Sequence, residues 1–200
     1  MQLSKVKSNF SVFFSLFLFS LVSIFLFDES LAQEAQESPK DKAEKKDPAL
    51  DQYYVANAAF NRKLYPVAAG QFESFLEKHP KHPKADLATQ GLALSLYALK
   101  QFDKAMPHLE VLLAKEEIDS TISRERLVML LGQCLMISEK KSDAKNLFIK
   151  EIKIIKDQAY RVAALAAICD VSFNEKNWEE VESWADQLVS SKPNPEGLAR

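Results

Sequence analysis

Two histidines three residues apart, His79 and His82, have a spacing that could offer two imidazoles to a metal ion. They stand in a join bounded by Pro80 and Pro83 that supplies no third ligand, so they read as solvent-exposed turn residues. His108, beside Pro107, reads as a helix-surface residue. Cys134 and Cys169 could form a disulfide in an oxidising compartment, which requires Cα atoms within about 7 Å. Cys169 fills a small-residue packing slot where a buried free thiol is normal, so the bridge is the weaker reading. The carboxylate pairs Glu116-Glu117 and Glu179-Glu180 read as solvated charge, and Trp178 and Trp184 as packing residues. No G-x-S-x-G, H-E-x-x-H, C-x-x-C or P-loop string occurs. These residues predict no catalytic centre, no metal site and no cofactor, and therefore no enzyme.

The elements that hold such side chains are helices. The chain has 200 residues with 47% hydrophobic and 27% charged side chains, enough to bury a core, and only 4 Gly, too few for the many tight turns of a β-sandwich. Lys and Arg total 26 against 28 Asp and Glu; this balance gives no general attraction for nucleic acid. Lys5 and Lys7 precede an apolar run from Phe10 to Phe27, followed by small residues at Ser30 and Ala32. That order predicts a secretory signal over 1–32, cleaved after Ala32. An uncleaved anchor is the alternative, and it is the one way this chain contacts a membrane. Residues 33–49 carry five acidic and four basic side chains and no apolar residue larger than Ala, which predicts a flexible linker. Residues 50–200 then form one domain.

Within that domain apolar residues recur at helical spacing in a repeating unit. Four segments read as second helices of helix pairs: Tyr65 to Pro80, Phe102 to Glu117, Lys141 to Lys156 and Trp178 to Pro193. Each carries a packing residue three positions in, Ala68, Ala105, Ala144 and Val181, at separations of 37, 39 and 37. Twelve residues before each lies a small residue of the first helix: Ala56, Ala93, Gly132 and Cys169. Small residues there let two helix backbones approach closely. Asp103, Ser142 and Asn177 are candidate caps, and Pro66 suits a first turn. Longer joins are expected around Glu116 to Arg124 and Lys156 to Tyr160.

This pattern resembles the tetratricopeptide repeat (TPR). Ala56, Tyr65, Ala68, Phe72 and Pro80 fit its consensus in the first unit, and Ala93, Phe102, Ala105 and Leu109 in the second. Gly132, Ala144 and Phe148 fit in the third, and Trp178 and Pro193 in the fourth. Glu117 and Lys141 depart from it. Phe72 to Ala105, with His79-Pro80-Lys81-His82-Pro83 and Leu92 to Tyr97, is also similar to periplasmic TPR proteins of the Tol–Pal and outer-membrane-assembly type. Ala93 stands where those proteins carry glycine.

The resemblance implies an all-α, right-handed helical solenoid of about four antiparallel helix pairs. It also implies a concave partner-binding groove lined by first helices. The groove would contain Tyr53, Asn57, Phe60, Asn61, Gln90, Leu94, Tyr97, Arg126, Met129, Gln133, Met136, Asp170, Phe173 and Asn174. A one-residue shift would turn the column Phe60, Tyr97, Met136 and Phe173 into the core, so groove and core both stand for it. Tyr53 and Tyr54 are expected to be accessible at the first end of the stack. The TPR mode that clamps a terminal carboxylate fits poorly, since Tyr53 and Leu130 occupy positions that need Lys and Arg. The expected function is an exported, non-catalytic scaffold of the periplasm or cell envelope, with a partner protein presenting an extended segment or helix. The alternatives are a structural subunit that self-associates through the ends of the stack or docks through its last repeat, which lacks a polar capping helix, and an accessory domain handling a substrate.

Overall fold

The computed structural model describes residues 47–191. The expected signal over 1–32, nearly all of the expected linker, and residues 192–200 lie outside these. Among the described residues there are eight α-helices and no strand. They are α1 (Pro48–Asn61), α2 (Tyr65–Lys78), α3 (Ala85–Ala98), α4 (Phe102–Ala114), α5 (Arg124–Ile137), α6 (Lys141–Glu151), α7 (Gln158–Asn174) and α8 (Trp178–Ser190). Each packs mainly on its sequence neighbours, with further contact between α1 and α3 and between α5 and α7. That is the arrangement of a solenoid.

The four pairs close by the same turn. Lys63, Lys100, Glu139 and Lys176 each adopt φ 60°, the left-handed region, one residue beyond the cap of the first helix. In every case the next N–H reaches back to the helix: Leu64 to Ala59 O and Gln101 to Leu96 O, both at 2.9 Å, and Lys140 to Leu135 O and Asn177 to Ser172 O, also at 2.9 Å. These bonds satisfy carbonyls that a helix end leaves unpaired. Glycine, the usual residue for this conformation, is absent from all four turns.

The first three second helices bury the same four positions. They are Ala68, Ala69, Phe72 and Phe75 in α2; Ala105, Met106, Leu109 and Leu112 in α4; and Ala144, Lys145, Phe148 and Glu151 in α6. Ala56, Ala68, Ala93, Ala105 and Ala144 are fully buried, and Gly132 and Cys169 are also buried. Full burial of alanines at these crossings allows backbones to approach where larger side chains could not fit. Val181 differs. It is only half-buried and α8 buries no residue, because no described helix packs beyond it. The α8 positions equivalent to those buried in the other second helices are Val181, Glu182, Ala185 and Leu188, and Val189 beside them is 69% exposed, so the uncovered side of α8 is mostly apolar with one carboxylate within it.

Several local expectations change. The first pair begins before residue 50: Asp47 caps α1 with its side chain, accepting from Ala49 N, and Pro48 opens the helix. Asn177 caps α8, but Asp103 and Ser142 lie inside the first turns of α4 and α6. The segment from Lys141 stays helical only to Glu151. Ile152 and Ile155 continue its apolar pattern but are buried in the following turn, where the Arg161 guanidinium holds Ile152 O at 3.0 Å. Arg124 does the same one joint earlier, donating to Leu113 O at 2.6 Å and Lys115 O at 3.2 Å.

Candidate partner-binding groove

The first helices place the predicted groove residues in three different settings. At the first end, Asn57, Phe60, Gln90 and Leu94 are half-buried and Asn61 is exposed. At the far end, Met136 and Asp170 are half-buried and Phe173 and Asn174 are exposed. Arg126, at the start of α5, is half-buried.

Between these ends the surface closes, and Tyr97, Met129 and Gln133 are buried. The reason is the central helix. Every residue of α5 from Leu127 to Leu135 is buried, because this helix sits in mid-stack between α4, α6 and α7. Tyr97 of α3 reaches across to it, its hydroxyl donating to Gln133 Oε1 at 3.1 Å. Burial, with a smaller contribution from neighbouring Cys134, pushes the Tyr97 phenol up to about 12. It therefore acts as a neutral hydrogen-bond donor. Gln133 Nε2 is buried without a hydrogen-bond partner.

Tyr53 is also corrected. It is buried, not accessible, because its ring packs against Phe72 and Phe75 at centroid distances of 6.2 and 5.9 Å, with Lys84 Nζ 5.8 Å above it. Tyr54 next to it is 51% exposed.

For the aromatic column the structure supplies the neighbours. Phe60 meets Tyr65, Tyr97 meets Phe102 and Phe173 meets Trp178, in edge-on pairs with centroids 5.6, 5.4 and 5.3 Å apart. Each of these three residues thus braces the turn of its own helix pair. In the third pair Met136 and Lys141 replace the aromatics. Phe173 combines this bracing with 38% exposure.

The remaining chemically notable residues have structural roles. His82 is not a free turn residue: its Nδ1 accepts from Lys84 N at 3.0 Å, its Nε2 lies 3.1 Å from Asp47 Oδ2, and its ring stands edge-on to Phe75. The hydrogen bond from His82 holds the Asp47 carboxyl below its ordinary range. His108 is half-buried, which lowers its imidazole pKa despite Glu73 nearby. Cys134 and Cys169 are free and buried, and burial pushes the Cys134 thiol up to about 12 and raises that of Cys169. A thiol so protonated is a poor nucleophile. Among the described residues no group of three or more His, Cys, Asp or Glu could hold a metal ion.

Some features lie outside the sequence reading. Ile137, 45% exposed beside Met136, stands at the same repeat position as Asn61 and Asn174 and so belongs with the far end of the predicted groove. Lys145 is a buried cation bonded to the carboxylates of Glu175 and Glu180, the latter at 2.9 Å. Ser142 and Ser172 donate to the same two carboxylates, each at 2.7 Å, so this cluster joins α6 to the fourth pair. Asp170, half-buried, has its carboxyl raised by desolvation, with Lys141 opposing the shift.

The tight turns, repeated burial and nearest-neighbour packing define a TPR-like helical solenoid. Among solved structures the chain is similar to the crystal structure of a kinesin-light-chain-like protein of Podosopora anserina built from nearly identical TPR-like repeats. The TM-score is 0.54 and the identity 16%, over 94% of each chain. At that identity the likeness is one of fold. No protein-family model and no curated protein matches the sequence.

Proposed function

We propose that this protein is an exported, non-catalytic scaffold of the periplasm or cell envelope that binds a segment of another protein along its first-helix groove. The observation that carries the binding reading is the set of side chains left open at the two ends of that groove. Leu94 with Asn57, Asn61 and Gln90 forms one end, and Ile137 and Phe173 with Asp170 and Asn174 the other. Apolar anchors flanked by amides suit a peptide or helix, which needs buried side-chain contacts and acceptors or donors for its backbone. Buried, protonated thiols agree with binding without chemistry. The pattern of Lys5, Lys7, the Phe10–Phe27 run and Ala32 supports export, and the likeness of Phe72 to Ala105 to Tol–Pal-type proteins supports an envelope setting.

Two measurements test this. Fractionation with N-terminal sequencing is expected to find the chain in the envelope fraction beginning at Gln33; an intact Met1 in the cytosol overturns export. Leu94→Ala combined with Ile137→Ala is expected to weaken partner capture about tenfold or more with the melting temperature nearly unchanged. Capture at the parental level removes the groove from the account.

A further inference from the structure

The first helix leaves uncovered a face that every other first helix buries. In the repeat register Asp51 corresponds to Ala88, Leu127 and Ala164, which are 0%, 1% and 0% exposed. Val55 corresponds to Leu92, Leu131 and Ile168, and Ala58 to Ser95, Cys134 and Val171, all buried. Tyr54 corresponds to Gly91, Leu130 and Ala167, of which the last two are buried. In α1 the same positions are open: Tyr54 and Val55 are 51% and 56% exposed, and Asp51 and Ala58 are exposed as well. One turn beyond Ala58 the stripe ends at exposed Arg62.

We infer that this face is an isologous interface, on which α1 of a second copy packs antiparallel. The charge and size pattern of the stripe is complementary to itself. About a two-fold axis between Ala56 and Asn57, Val55 falls opposite Ala58 of the other copy, large against small, and Asp51 falls opposite Arg62. At about 1.5 Å rise per residue the two charged pairs come level at both ends of the contact, and Tyr54 falls opposite Ala59 of the other copy. The opposite end of the stack also leaves apolar side chains uncovered, but α8 offers no cation to pair with Asp51. From Trp178 to Ser190 α8 carries four acidic and no basic side chains, and its uncovered side holds Val181, Glu182, Ala185, Leu188 and Val189. Two copies of α8 would bring like charges together, and α1 on α8 would leave Asp51 without an opposite charge. An α1–α1 contact also closes after two copies, whereas α1 on α8 would propagate.

Charge reversal tests the pairing in the full chain by sedimentation equilibrium. The parent is expected to reach twice the monomer mass and no more. Asp51→Arg or Arg62→Asp alone replaces two attractive pairs by two repulsive ones and is expected to weaken association about tenfold. The double variant Asp51→Arg/Arg62→Asp restores it, and so does an equimolar mixture of the two single variants. That rescue belongs to this antiparallel register and not to general stickiness or misfolding. A monomeric parent, as when the chain's own preceding residues cover α1, overturns the inference. So does a mass that grows past two copies, or single variants that associate like the parent, or a mixture that does not recover.

Discussion

Adding one methyl group at Gly132 should damage this protein more than its size suggests. A Cβ there would lie 2.1 Å from Phe148 Cζ, 2.5 Å from Cε1 and 3.0 Å from Cε2. The ring must therefore retreat by more than about 1 Å to regain ordinary contact, yet Phe148 is only 2% exposed and has no open side to move into. Overpacking of this kind costs about 1–3 kcal/mol, while alanine gains about 1 kcal/mol over glycine in a helix interior. Gly132→Ala should thus destabilise by about 1 kcal/mol, and Gly132→Leu by several. Gly70 provides the opposite case, since a Cβ there meets nothing within 4 Å. Gly70→Ala should stabilise by about 0.5–1 kcal/mol. Urea unfolding with unchanged slope is the assay. Trimming the ring in the double variant Gly132→Ala/Phe148→Leu should give a coupling of about 1 kcal/mol or more relative to the two single changes. Gly132→Ala as stable as Gly70→Ala, with no coupling to Phe148→Leu, would refute the reasoning and the packing register behind it.

Lys100→Gly should stabilise by about 0.5–1 kcal/mol, because it removes a left-handed penalty of about 1–2 kcal/mol and adds some unfolded-state freedom; Lys100→Ala in parallel urea curves should gain nothing. Arg161→Ala should cost about 1–2 kcal/mol by uncapping Ile152 O, measured by thermal melting. Lys145 holds the carboxyls of Glu175 and Glu180 below their ordinary value, so their contribution is present above the unfolded value near 4.5 and is lost as pH falls through the lower folded values. The melting temperature of the parent should therefore drop more steeply on acidification below about pH 4.5 than that of Lys145→Met; equal slopes would deny the cluster this role.

Much of the fold was legible because the repeat places the same physics at the same interval. All four second helices begin at the predicted residues, Tyr65, Phe102, Lys141 and Trp178, since an apolar periodicity and a backbone approach at Ala56 or Ala93 are local facts of sequence. The turns were not legible in detail. Lys63, Lys100, Glu139 and Lys176 carry none of the glycine that normally marks a left-handed residue, so only their shared spacing could have betrayed them. The early end of α6 depends on Arg161, ten residues further on, and on burial of Ile152 in a turn. The groove was the least legible part. Tyr53 and Tyr97 look like surface aromatics in a list of positions, but their burial is decided by Phe72, Phe75 and Gln133, which arrive from other helices. The Lys145 cluster draws on three helices and a turn, and its seryl donors are as ordinary in sequence as any other serine.

Photo-crosslinking in the native cell puts the central proposal to its most direct test, with a reactive residue introduced singly at Leu94, at Ile137 and, as a control, at Val111, which is 54% exposed on a second helix. The account predicts the same envelope protein attached to residues 94 and 137 and no adduct from residue 111. Adducts at residue 111 with none from the two groove positions would place the binding surface elsewhere and contradict it.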